Sequence, residues 1–204
     1  MDRTKEILLK LESSLNGIEL PNTGSIMVAS SYYSLCVEHF RSIVTLTELE
    51  LYGSASSLLR SLFESYTKGL WFEYCSSEVD IELLNQDKFN KPFGLIVKEI
   101  DEYRNSFDNK ISKLSVAKKL NWGNLNNLTH AGPAQITRRI SGGSITPNYN
   151  EEFIKDMLSF STNYGLLAAG QLALLSGNKT ARNTVLEVSR SLFKNGDNKA
   201  GKRN

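Results

Sequence analysis

The chain has 204 residues, of which 40% are hydrophobic and 23% charged, the usage of an ordinary globular domain. Such a length buries a core without disulfides or metals, and four prolines and 14 glycines exclude a fibrous or low-complexity chain. The formal net charge of +2 singles out no class of partner.

In chain order, almost every long segment carries helical period. Residues 3–15 set Ile7, Leu8, Leu11 and Leu15 against Lys5, Lys10 and Glu12, an amphipathic helix that Pro21, Asn22 and Gly24 break. A long helix is predicted over 25–52, with Ala29, Tyr33, Cys36, Phe40, Ile43 and Val44 on its apolar stripe, punctuated by Gly53. The next covers 54–75 and carries Leu58, Leu59, Leu62, Phe63, Tyr66, Leu70 and Trp71. Residues 76–92 are polar and acidic with one short helical piece, and 93–119 read as one or two weaker helices. Residues 120–137 hold no charged side chain; Pro133 is placed to open a helical turn. Ser141-Gly142-Gly143-Ser144 is a loop, and Asn148 is the expected cap of a helix over 149–175, with Glu151 three residues on. A last helix covers 180–193. The expectation is an all-α, single-domain helical bundle over 1–194, of four or five main helices with an irregular insertion, followed by a disordered basic tail over 195–204.

Two cysteines, Cys36 and Cys75, sit in apolar helical stripes, and the first ten residues alternate charge with short apolar runs, unlike a secretory signal. Reduced thiols and a cytoplasmic location are expected. Residues 157–178 are free of charge but contain Ser159, Ser161, Thr162, Asn163, Gln171 and Ser176, which suits a buried core helix better than a membrane span; no membrane association is expected. Ser161, Gly165, Ala169 and Ala173 recur every four residues, a stripe for close backbone approach within the bundle or by a second subunit.

Several chemistries lack their residues. There is no glycine-rich phosphate loop, Cys-x-x-Cys, His-Glu-x-x-His or Gly-x-Ser-x-Gly. Two histidines, His39 and His130, cannot build a histidine-rich metal site, so neither metal nor cofactor is expected. Charge is unevenly spread: residues 73–102 carry eight acidic and three basic side chains, 104–139 seven basic and one acidic, and 179–203 seven basic and two acidic. The basic regions are either solvated faces or phosphate-attracting surfaces.

The neutral block around His130 is the first candidate site. Asn126 and His130 share a helix face by spacing, Gln135 is close by, and Arg138, Arg139 and Tyr149 follow. A histidine among amides and arginines suits a general acid or base beside a bound phosphate, against the plainer role of a hydrogen-bonded structural histidine. The second candidate is the stripe of Arg60, Glu64 and Lys68, an exposed ion-pair ladder or a partly buried pair. Buried, it needs further polar partners, which the His130 block can supply. His39 shares a face with Tyr32, Cys36 and Ile43 and reads as a packed core-edge residue.

The helical plan, the stretch Leu-Leu-Arg-Ser-Leu-Phe-Glu at 58–64 and Asn-Leu-Asn-Asn-Leu-Thr-His ending at His130 resemble the HEPN superfamily. Its domains are small helical bundles, often dimeric, and many are metal-independent ribonucleases of toxin, abortive-infection and other defence systems. Active members carry an arginine, four to six residues and then a histidine. The histidine matches His130, while Gly123, Asn124 and Leu125 stand where the arginine is expected, leaving Arg60, Arg138 or Arg139 to supply a guanidinium in space. The resemblance implies a metal-independent RNA-cleaving or RNA-processing protein of a bacterial defence or toxin system. His130, Asn126, Arg60 and Glu64 are then catalytic, and Arg138, Arg139, Gln135 and Tyr149 hold the substrate. RNA and a second copy or a partner protein are the implied partners. The alternative is a non-catalytic helical module, a protein-binding subunit of a defence or toxin–antitoxin system.

Overall fold

The structure, a computed structural model, describes residues 2–107 and 113–200, with side chains over 3–107 and 113–192. It is all-α apart from one small hairpin. Among the described residues there are nine α-helices: α1 (Asp2–Leu15), α2 (Gly24–Glu48), α3 (Tyr52–Tyr74), α4 (Glu78–Asn85), α5 (Phe93–Asn105), α6 (Leu114–Thr129), α7 (Pro133–Ile136), α8 (Glu151–Leu175) and α9 (Lys179–Ala200). Seven of them have 13 residues or more, so the bundle has more main helices than four or five. The last helix continues through Ala200 rather than stopping near 193. Part of the expected tail, residues 201–204, lies outside the described residues.

The antiparallel pair α2–α3 is the spine. Its facing stripes bury Tyr33, Cys36, Phe40 and Ile43 against Leu59, Leu62, Phe63, Tyr66 and Leu70. The residue that separates the two helices is not Gly53, which lies inside the first turn of α3. The break falls at 49–51, where Glu50 adopts a left-handed φ of 59°, a conformation that the side chain does not advertise. Trp71 is fully buried on the far end of α3; its indole Nε1 donates to Glu99 Oε2 at 2.5 Å, and Lys91 Nζ bonds the same carboxylate at 2.9 Å.

Helix α8 packs across α2 through its small residues. Ser161, Gly165, Ala169 and Ala173 are all buried, and Gly165 lies against the Phe40 ring. The stripe thus seats α2 of the same chain. Its N-cap is Asn150, whose side-chain oxygen accepts from Phe153 N–H at 2.9 Å, two residues past the expected Asn148. The Asn148 N–H instead donates to the Arg138 carbonyl at 2.8 Å, which keeps it in the extension of the hairpin. Helix α4 opens with a capping box between Ser77 and Asp80.

Helices α5 and α6 lie on the other side of α3. The α5–α6 junction is made by Asp101, a buried carboxylate whose oxygens accept from the N–H groups of Leu114 and Ser115 at 2.8 and 3.0 Å. It thereby caps α6 from a different helix. The irregular insertion is α7, a 3-10 turn (Thr137–Arg139), and strands β1 (Ile140–Ser141) and β2 (Ser144–Ile145), paired antiparallel with Ile140 opposite Ile145. Gly142 and Gly143 have φ of 56° and 80°, the left-handed pair of a tight two-residue hairpin. Among the described residues no helix is long and apolar enough to cross a membrane.

Candidate functional site

Helix α6 is the element that brings the polar residues of the neutral block together. Leu125 and Leu128 bury one face of it, and Thr129 Oγ1 donates to the Ser57 carbonyl of α3 at 3.1 Å. That docking carries Trp122, Asn126 and His130 around towards Arg60. His130 ends α6 as its exposed C-cap, and Ala131 beside it turns the chain with a φ of 51°.

Arg60 is the hub. Its Nε donates to Glu64 Oε1 at 2.8 Å, its Nη1 lies 2.5 Å from His130 Nε2, and its guanidinium lies 4.8 Å from the Trp122 ring centre. Trp122 in turn stacks on Phe93, centroids 4.8 Å apart. The Arg60 and Glu64 side chains are 25% and 23% exposed, so of the two readings the partly buried pair, not the open ladder, describes them. A guanidinium has only donors, so a hydrogen bond at this contact needs Nε2 as acceptor, which is the Nδ1–H tautomer of the ring. The two separate candidates of the sequence are one cluster in space. Asn126 lies one turn before His130; its Oδ1 is buried with no hydrogen-bond partner among the described residues.

The other expected site residues go elsewhere. Gln135 donates from Nε2 to the Gly53 carbonyl at 2.7 Å and accepts from Ser56 at 3.4 Å, tying α7 to the start of α3. Tyr149 packs on Tyr52, and its hydroxyl covers Gly53 so closely that a Cβ there would lie 2.9 Å from it. Both are struts of the fold. Arg138 donates to the Ala134 carbonyl and lies 4.3 Å over the Phe153 ring. It lines a groove of about 520 Å³ with Asn121, Asn124, Asp156 and Asn163. In α6 that groove uses positions 121, 124, 125 and 128, a different face from 122, 126 and 130. Arg139 is exposed. The expected clamp of Arg138 and Arg139 on the His130 face is therefore not formed, because the hairpin fixes the Arg138 backbone and Phe153 attracts its cation. Trp122 and Asp101 escaped the sequence reading as contributors; only their helical positions near the block hinted at Trp122.

Among the described residues no group of three or more His, Cys, Asp or Glu side chains is placed to hold a metal ion. The cluster can instead do proton transfer at an exposed imidazole beside a guanidinium whose charge is partly balanced by Glu64.

A family model described as a family of unknown function (DUF6988) matches residues 33–195. The chain belongs to that family. The matched region runs from within α2 into α9 and so holds Arg60, Glu64, Trp122, Asn126 and His130. No curated protein and no solved structure matches the chain.

Proposed function

We propose that this member of DUF6988 is an RNA-cleaving or RNA-processing protein that works without a metal, with His130 as its proton-transfer group. The observation that carries the reading is the 2.5 Å contact between Arg60 and His130. The HEPN resemblance implies an arginine beside the histidine, and here the guanidinium arrives from another helix. Arg60 holds Nε2 of the resting imidazole. When a phosphodiester enters, the Nη groups of the guanidinium move to its two non-bridging oxygens, a bidentate match, and free His130 Nε2 to take the proton of the ribose 2′-hydroxyl. The 2′-oxygen bonds to phosphorus, the P–O5′ bond breaks, and the imidazolium returns the proton to the departing O5′. Glu64 keeps Arg60 in reach throughout. In this reading the system it serves is bacterial defence or toxin control, as the resemblance implies.

A second reading, a non-catalytic helical module that binds a partner protein, draws on the same contact together with the bond from Thr129 to Ser57. The Arg60–His130 bond ties α6 to α3 much as Thr129–Ser57 does, the work of a structural strut. One experiment separates the two. Purified protein is incubated with RNA in EDTA beside His130→Ala. Cleavage by the wild type that the variant loses, with an unchanged melting curve, is the catalytic outcome. No cleavage by either, with a destabilised variant, is the structural one.

A further inference from the structure

The seam between α5 and the start of α6 forms a second groove, of about 610 Å³, lined by Lys98, Lys113, Lys118 and Lys119, with Trp122 among its walls. Its two carboxylates are already engaged. Asp101 accepts from the first N–H groups of α6, and Glu102 pairs with Lys98 at 3.6 Å. Lys113, Lys118 and Lys119 have no carboxylate within ion-pair distance among the described residues. Three ammonium groups in one groove, without an ion pair among the described residues, concentrate a polyanion there.

The groove also has a direction. Lys118, Trp122, Asn126 and His130 recur every four residues and form one stripe along α6. The rise of a helix puts Lys118 about 18 Å from His130. Trp122 joins the two ends: the Lys118 ammonium lies 5.4 Å from its ring and the Arg60 guanidinium 4.8 Å. A single phosphate needs one such cation. Lysines grouped in one groove, with Lys118 at the head of a stripe that continues to a guanidinium and an imidazole, fit a chain of phosphates, and one line along one helix fits one strand rather than two.

We propose that this α5–α6 groove is a binding track for single-stranded RNA, in which Lys113, Lys118 and Lys119 hold successive phosphates and lead the strand to Arg60 and His130. That the strand is cut at the end of the track rests on the function proposed above; the binding does not. The test is fluorescence anisotropy of a labelled unstructured RNA with the whole chain at about 50 and about 200 mM salt. Lys118→Ala with Lys119→Ala should weaken binding several-fold and flatten the log–log salt slope by about 1.4, about 0.7 for each phosphate of a single strand that is no longer neutralised. Alanine is a good helix former, so α6 should keep its fold. Lys155→Ala with Lys179→Ala, exposed on α8 and α9, should change neither quantity, and arginine at 118 and 119 should restore both. An unchanged affinity and slope in the Lys118, Lys119 double variant overturns the track, as does tighter binding of duplex RNA or of anionic lipid vesicles. The two readings fail separately. A wild type that binds through these lysines but cleaves nothing keeps the track and loses the catalytic reading. Cleavage that needs His130 but ignores the lysines does the reverse.

Discussion

Arg60 and His130, 70 residues apart in the chain, meet at 2.5 Å where the end of α6 docks on α3. The contact fixes a proton. Since Arg60 can only donate, the contact should select the ring tautomer with its hydrogen on Nδ1. Long-range nitrogen–proton correlation spectra above neutral pH report the tautomer directly. Arg60→Gln should shift the ring towards the mixture of a free imidazole. An Nε2-protonated ring in the wild type would show that the contact does not persist in solution.

Glu64 tests how far the site is removed from water. With a quarter of each side chain exposed, the Arg60–Glu64 pair lies between a surface pair, worth about 0.5 kcal/mol, and a buried one, whose breakage costs roughly 3–5 kcal/mol. Glu64→Ala should therefore cost about 1.5–3 kcal/mol, as loss of a hydrogen bond between charged groups does. Glu64→Gln, which keeps an acceptor, should cost less. Urea melts decide it, and a loss below about 0.5 kcal/mol would return the pair to the class of surface ladders.

Two glycines set how closely α3 and α8 approach α2. A Cβ on Gly69 would sit 2.5 Å from Cε1 of Tyr33, and one on Gly165 would sit 2.5 Å from Cδ1 of Phe40. Both rings are fully buried in α2, so neither can swing into solvent. Alanine improves helix propensity by about 0.5–1 kcal/mol, yet overpacking of this kind costs about 1–3 kcal/mol or more. Gly69→Ala and Gly165→Ala should each lower the melting temperature, whereas Gly123→Ala, where the added Cβ meets nothing within 4 Å, should raise it. A stabilised Gly165→Ala would mean that α8 can move away from α2 at little cost.

The helices were legible because their stripes repeat at 3.6 residues; the need of a half-buried charge pair for polar partners pointed to the His130 block as one source of them, but the meeting of Arg60 and His130 is set by how the end of α6 docks on α3. What the sequence hid was set at longer range. Asn148 and Asn150 are equivalent as caps by composition; the bond from Asn148 N–H to the Arg138 carbonyl removes the first from competition. Arg138 and Arg139 follow closely on His130, but their direction depends on the hairpin and on Phe153, from another helix. The cap that Asp101 supplies to α6 crosses 13 residues and has no local signature. The lysines of the second groove were visible as a basic run, but not as the lining of one groove.

Acid should act on the fold through His39. Burial holds its pKa below the ordinary histidine value, with the Glu38 charge opposing more weakly. The unfolded chain therefore binds more protons at this position than the folded one. Its contribution to stability is intact above about pH 6.5 and declines as the pH falls from there through the lower folded value. Glu6 and Asp80, whose pKa values are also lowered, act only in the carboxylate range further down. Urea melts between about pH 7 and pH 5 should show a decline that His39→Gln flattens. An equal decline in the variant would assign it to other groups.

The two thiols should differ in reactivity from free cysteine and from each other. Neither is in a disulfide; Cys36 is buried and Cys75 half-buried. Burial, helped by the Glu99 carboxylate, pushes the Cys75 thiol up to about 11, against the weaker pull of Lys91 and Arg104. At pH 8 roughly one molecule in a thousand then carries the reactive thiolate, against roughly a quarter for a free cysteine. Burial pushes the Cys36 thiol further up, and no probe reaches it without opening the α2–α8 contact, where its Sγ lies 3.6 Å from the Tyr164 carbonyl. With a disulfide-exchange reagent at pH 8, Cys75 should react slowly, at a rate that rises about tenfold per pH unit until it approaches its pKa. Cys36 should wait for unfolding and follow the urea dependence of the melt. Fast reaction of both thiols in the native protein would show that the α2–α8 seam opens readily, and the packing assigned to Gly165 and Phe40 would fail with it.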